Sequence, residues 1–372
     1  MTVLMYDHFY PDFSAGGPIT SIANLATLIG NDHEVRIITS AFEYRSGLLI
    51  HEIVTNKWTV WNAIPVWYAE DSKSINRALR SLPMGTVLYL NGLFSVDYFL
   101  GPLRQSRKLK MKVVISPRGM LKASALKIKN FKKRTYLSLL LLSGLLKGRV
   151  WHATDEQELV DIKAKVGVDS EVHVIPNVPV LPSTASFDKH KTVGELQLIY
   201  CSLIVGIKNL QFLLRVLNAE GMNNISLSIV GPIKDLGYWQ KCQQQISTLQ
   251  NPERVKYLGE VKPSNIVETI AGAHVLVLPT LGENFGHVII EALSASRPVL
   301  ISDNTPWRDL NAAGVGFSIP LEESVWIKAL QQMLDWDENN YKMACSAALQ
   351  YYRHKFDFPE LKEKYIKLFT AV

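Results

Sequence analysis

The chain has 372 residues, 47% apolar and 20% charged, with a formal net charge of +6. That balance excludes a disordered polyelectrolyte and a disulfide-stapled miniprotein, and the length points to two domains of ordinary size. Cys201, Cys242 and Cys345 are too far apart for a metal motif and read as free thiols of a reducing compartment.

The opening apolar run, residues 2–6, is too short for a signal peptide. The longest nonpolar run, Tyr136 to Leu146, is about half of a bilayer span. A cytoplasmic location is therefore expected. Short apolar runs at 2–6, 35–39, 87–90, 113–116, 150–154 and 172–176 lack polar alternation, as parallel strands covered on both faces do. After the first of them, PDFSAGGPIT (11–20) places Gly16-Gly17 and Pro18 at a helix start whose unpaired amides suit an anion. A turn that needs a positive φ is the plainer alternative. ISPRGMLKASAL (115–126) sets Arg118 at another strand end. In WHATDEQEL (151–159), a helix capped at Thr154 or Asp155 accounts for most of the pattern around His152 and Glu156.

Fourteen basic residues and no acidic one lie from Arg104 to Arg149, so the rest of the chain is net negative. Such a segment implies an anionic partner, and KASALKIKNFKKRTYLSLLLLSGLLKGR (122–149) suits an anionic membrane surface, with Leu137–Leu146 expected in the core. Nucleic acid is not expected, because no basic stretch is interleaved with aromatics.

PVLPSTASFDKHKT (179–192) interrupts the pattern and defines a linker at 181–193. Strand-like runs then restart at 196–201, 225–230, 255–259, 275–279, 298–302 and 316–320, with helices such as 209–217 and 238–249 between them and a helical remainder from Ser324. The chain therefore reads as two doubly wound, Rossmann-like α/β domains, 1–180 and 194–355, facing a central cleft. The last helix, 356–372, is expected to pack back on the first domain. Ligands of such sheets sit at the carboxyl ends of strands, which singles out GENFGHVIIEALSASRPVL (282–300). There a loop carrying Glu283 leads into a helix opened by Phe285-Gly286, with Glu291 further along it. Amides at the helix start suit a phosphate, and each carboxylate accepts two hydroxyls in a fixed fork. Two ordinary solvated glutamates flanking a turn remain the alternative.

The same stretch resembles the E-x7-E signature of the retaining glycosyltransferases of family 4, which have the GT-B fold. SRPVLISD (296–303) continues the likeness, with Arg297 where glycine is usual. SLIVGIKNLQFLL (202–214) resembles the segment in which an arginine and a lysine clamp the nucleotide diphosphate; Lys208 matches, and Leu203 stands at the arginine position. The resemblance implies that Glu283 contacts the donor sugar and Glu291 the ribose. It places Asn284, Phe285 and Gly286 beside the donor, with Lys208 on the diphosphate. The SPRGML match implies that Arg118 meets phosphate or acceptor, and Gly16 and Gly17 face the same groups. A UDP- or GDP-sugar donor with no separate cofactor is expected, and the basic N-terminal half points to a glycan or lipid-linked acceptor; because a lysine and a helix start can hold the diphosphate and no Asp-x-Asp motif is present, no metal is expected. A nucleotide-sugar 2-epimerase of the same architecture stays open. So does a non-catalytic partner subunit, which Leu203 would suit.

Overall fold

The computed structural model describes residues 1–12, 17–51, 53–122, 130–181, 188–283 and 285–371. The chain divides into two compact units, Met1–Val178 with Asp357–Val372, and Pro179–Phe356. Gly16, Asn284 and residues 182–187 of the expected linker lie outside the described residues.

In unit 1, strands β1 (Thr2–Met5), β2 (Val35–Ser40), β3 (Trp58–Trp61), β4 (Ile64–Ala69), β5 (Val87–Asn91), β6 (Lys112–Ser116), β7 (Val150–Ala153) and β8 (Val172–Val174) form one sheet. Their order is β3-β4-β2-β1-β5-β6-β7-β8, and only β3–β4 pair antiparallel. Strands β1, β5 and β7 are buried throughout, which is why their sequences are unbroken apolar runs. The β3–β4 hairpin has no counterpart among the strands expected from the sequence. Its turn is Asn62-Ala63, both at positive φ (45° and 64°), and alanine there hides the usual Asn-Gly signal.

Helices α1 (Gly17–Ile29), α2 (Ser72–Arg80), α3 (Gly101–Lys108), α4 (Asn130–Leu142) and α5 (Glu156–Val166) connect the strands. Asp155 caps α5 by accepting the Glu158 N–H at 2.7 Å. The C-terminal helix, Phe358–Thr370, belongs to this unit: it packs on α1 through buried Leu361, Tyr365, Leu368 and Phe369. The Tyr365 hydroxyl donates to the Pro176 carbonyl at 3.0 Å, and Lys362 pairs with Asp32 at 2.7 Å.

Unit 2 repeats the plan with six parallel strands: β9 (Leu196–Cys201), β10 (Ile225–Val230), β11 (Val255–Gly259), β12 (Val275–Leu278), β13 (Val299–Ser302) and β14 (Gly316–Ile319), in the order β11-β10-β9-β12-β13-β14. Helices α6 (Leu210–Leu217), α7 (Leu236–Ser247), α8 (Pro263–Ala271), α9 (His287–Ser294), α10 (Glu323–Leu334) and α11 (Glu338–Lys355) accompany them. The core lies between sheet and helices, with Leu198, Tyr200, Ile229, Val277 and Trp326 at its centre. Two buried cations cap helix ends. The Lys191 ammonium donates to the carbonyls of Thr192, Leu334 and Trp336 at 2.9, 3.1 and 3.1 Å, closing α10. Arg297 donates to the Ala271 carbonyl at the end of α8. That use explains how a large side chain occupies a position where glycine would fit.

Candidate active site

The carboxyl ends of β9, β12 and β13 bring three loops of unit 2 together. The Leu281 N–H and the Thr280 hydroxyl both donate to the Ile207 carbonyl, at 2.8 and 3.1 Å. The Ser302 hydroxyl donates to the Thr280 carbonyl at 2.5 Å, and the Glu283 N–H donates to the Asn304 carbonyl at 3.1 Å. These bonds set Lys208 against Glu283, whose ammonium and carboxylate meet at 2.5 Å with side chains only 15% and 19% exposed. Asn209, in the left-handed region at φ 56°, turns the chain from Lys208 into α6.

Helix α9 starts where the sequence placed it. Gly286 is its N-cap at φ 80°, and a β-carbon there would come within 2.8 Å of Ile289 Cδ1 and 3.1 Å of Trp307 Nε1. Among the described residues no side chain caps this end, and a helix start of this kind suits an anion. The Phe285 carbonyl accepts from Trp307 Nε1 at 2.7 Å, which fixes the turn. Glu291 lies partly buried on α9, and burial pushes its carboxyl up to about 7. Thr280, Asn304 and Trp307 escaped the sequence reading. Thr280 had a signal, its place at a strand end beside Glu283, whereas Trp307 contacts the loop from twenty-two residues away.

In unit 1, α1 begins at Gly17 with Pro18 in its first turn. Arg118, at φ 54°, spends its guanidinium inside the unit: Nε donates to Asn91 Oδ1 at 2.9 Å, Nη2 to the Tyr89 hydroxyl at 3.0 Å, and Nη1 to Asn177 Oδ1. The Tyr89 hydroxyl in turn donates to His152 Nδ1 at 2.6 Å, and His152 Nε2 donates to the Ile175 carbonyl at 2.7 Å. Burial and the Arg118 charge pull His152 down to about 3, consistent with a neutral ring in this relay.

The basic run is distributed unevenly over the sheet. Lys108 and Lys110 precede β6, Lys112 opens it, and Lys147 and Arg149 precede β7, so all five lie at its amino edge, away from Arg118. Leu137 and Leu140 are buried as expected, but Leu139 and Leu142 are 63% and 84% exposed, because α4 turns only one stripe inward.

Two Rossmann-like units of this topology define a GT-B protein, and solved structures agree over the whole chain. WaaG, a glycosyltransferase involved in lipopolysaccharide biosynthesis, is 16% identical with a TM-score of 0.66 and full coverage of both chains. HepE of Anabaena, in complex with UDP and glucose, is 15% identical with a TM-score of 0.69, covering 100% of this chain and 99% of its own. Residues 183–348 match the family model "Glycosyl transferases group 1". Unit 2 is therefore a glycosyl transferases group 1 domain. A curated relative, the O-antigen chain mannosyltransferase RfbU of Salmonella typhimurium, is 26% identical over 129 residues; the match spans 34% of this chain and 34% of that protein.

Proposed function

We propose that the protein is a retaining, metal-independent glycosyltransferase. It would move a sugar from a UDP- or GDP-sugar to a glycan or lipid-linked acceptor in bacterial surface polysaccharide synthesis. The observation that carries this reading is the Lys208–Glu283 pair beside the uncapped start of α9. HepE bound to UDP and RfbU as a mannosyltransferase support the donor class and the setting.

In this reading the diphosphate docks on the α9 amides and draws the Lys208 ammonium, while Glu283 exchanges its cation for sugar hydroxyls and Glu291 accepts from the ribose. The bond from the anomeric carbon to the phosphate oxygen breaks, with its electron pair passing to the phosphate. The acceptor hydroxyl oxygen attacks the same face of that carbon and gives its proton to the departing phosphate. Fixed donors aimed at the growing phosphate charge supply the main stabilisation, so no metal is called for. The cations at the amino edge of unit 1, with Leu139 and Leu142, would rest on an anionic membrane surface, each charge adding about 1 kcal/mol.

The test is release of nucleoside diphosphate from a panel of UDP- and GDP-sugars in the presence of acceptor-rich membranes. Lys208→Ala and Glu283→Ala should each lose at least tenfold. A wild-type chain that binds nucleotide but releases none from any donor would instead support the non-catalytic partner suggested by Leu203.

A further inference from the structure

The reaction described so far leaves unused a cavity of about 610 Å³ at the amino edge of the unit 1 sheet. It lies where β7 and β8 begin, whereas doubly wound sheets hold their substrates at the carboxyl edge. Its volume falls within the range of about 300–1,000 Å³ usual for small-molecule sites. Leu141, Leu146 and Val166 supply an apolar lining, and two loops supply the polar one. Lys147 and Arg149 come from the loop before β7, and Asp169, Ser170 and Glu171 from the loop before β8. The Trp151 N–H donates to the Glu171 carbonyl at 2.8 Å and holds the two loops side by side. The first loop turns at Gly148, at φ 68°, where a β-carbon would meet nothing within 4 Å, so this turn leaves open space.

The charges are sorted by loop. Arg149 donates from Nε to the Leu145 carbonyl at 3.3 Å and reaches Ser106 Oγ from Nη2 at 3.5 Å. Arg107, on α3, donates from Nη2 to the Gly144 carbonyl on the cavity wall at 2.5 Å. Burial, and after it the Arg107 charge, pull the Arg149 guanidinium down. Two like charges are thus held close together, and among the described residues neither meets a carboxylate. An anion between them would relieve the repulsion, and the planar forks of arginine match phosphate oxygens in pairs. On the second loop Glu171 Oε1 meets His173 Nε2 at 3.0 Å, and Asp169 is exposed. Carboxylates and a serine there are acceptors suited to hydroxyls.

We propose that this cavity binds a free sugar phosphate, with its phosphate on Arg107 and Arg149 and its hydroxyls on Asp169, Ser170 and Glu171. The site is separate from the donor's, and the proposal holds whether or not the chain transfers a sugar. Inorganic phosphate would leave the hydroxyl acceptors unused, and an unphosphorylated sugar would leave the guanidinium pair without its anion. A headgroup within an anionic bilayer fits less well, because the exposed Asp169 and Glu171 would face the same negative surface. The membrane contact is then made by Lys108, Lys110 and Lys112, which lie outside the cavity lining.

The test is isothermal titration calorimetry of the full chain with glucose 6-phosphate, mannose 6-phosphate and glucose 1-phosphate, with glucose and inorganic phosphate for contrast. At least one hexose phosphate should bind with a Kd of about 1 mM or tighter, and the two contrast ligands at least about tenfold more weakly. Arg107→Gln and Arg149→Gln should each weaken the hexose phosphate about tenfold. Asp169→Asn should weaken it about fivefold while leaving inorganic phosphate as tightly bound or tighter. Saturating UDP and Lys208→Ala should both leave the affinity unchanged, which separates this cavity from the donor's diphosphate site. All variants are checked by thermal melting. Arg149→Gln leaves the Leu145 carbonyl without its donor, so if that variant melts early, Arg107→Gln and Asp169→Asn, both at exposed positions, decide. Absence of binding by every hexose phosphate overturns the proposal, as does an affinity unchanged in folded Arg107→Gln and Asp169→Asn proteins, or competition by UDP. Displacement of the hexose phosphate by phosphatidylglycerol vesicles overturns it in favour of a lipid headgroup.

Discussion

Replacing Glu291 by glutamine should stabilise unit 2 at alkaline pH while weakening nucleotide binding. The carboxyl of Glu291 titrates near 7 in the folded chain against an ordinary value of 4.5. Below pH 4.5 both folded and unfolded chains hold the proton, and the residue costs nothing. As pH rises from there, the unfolded chain ionises first, so stability declines by about 1.4 kcal/mol per pH unit until the folded carboxyl also ionises. Above pH 7 the accumulated penalty reaches about 3 kcal/mol as a ceiling, lowered because the side chain is only half-buried. Glu291→Gln removes the ionisation and keeps the shape. Unfolding free energies of wild type and variant from urea titration should therefore nearly coincide at pH 4.5 and diverge by about 1–3 kcal/mol at pH 8. The same change replaces a charged acceptor for the ribose by a neutral one, and UDP or GDP affinity at pH 8 should fall by about 1–2 kcal/mol, roughly tenfold or more. Parallel pH–stability curves would refute the burial argument. Unaltered affinity would remove Glu291 from the nucleotide site.

Three further outcomes test the frame around it. Lys208→Ala and Glu283→Ala should each destabilise the chain, and the double variant should lose less than their sum, with a coupling of about 1 kcal/mol or more in a double-mutant cycle; strict additivity would dissolve the pair. Gly286→Ala should cost about 1–2 kcal/mol from its positive φ alone, and crowding at Ile289 and Trp307 should weaken nucleotide binding as well, measured by denaturation and by titration with UDP. Lys191→Met should cost about 2–3 kcal/mol by leaving three carbonyls at the end of α10 without their donor, and an unshifted denaturation midpoint would show that water replaces it.

What the sequence shows depends on how local the cause is. Strands β9 and β10 are legible to the residue as largely apolar runs between turn residues, and the edge strand β11, exposed along most of its length, is legible to the residue as well. The start of α9 at Gly286 is legible for the same reason, a glycine that only a positive φ requires. The β3–β4 hairpin is not, since Asn62-Ala63 lacks the glycine by which such turns are read. Arg118 shows the other limit. Its strand-end position is plain in the sequence, but its bonds to Tyr89, Asn91 and Asn177 come from three separate segments that only the folded sheet brings together. Likewise the basic run is obvious as composition, yet the place of Lys108, Lys110, Lys112, Lys147 and Arg149 at the amino edge follows from strand direction alone.

The return of Phe358–Thr370 to unit 1 has a consequence for biosynthesis. A ribosome delivers the sheet of unit 1 before unit 2, but the helix that covers α1 and satisfies the Pro176 carbonyl is translated after all of unit 2. Unit 2, encoded as one uninterrupted stretch, can finish folding while unit 1 still waits with its apolar flank uncovered. Unit 1 therefore completes its core only after the whole of unit 2 has been made.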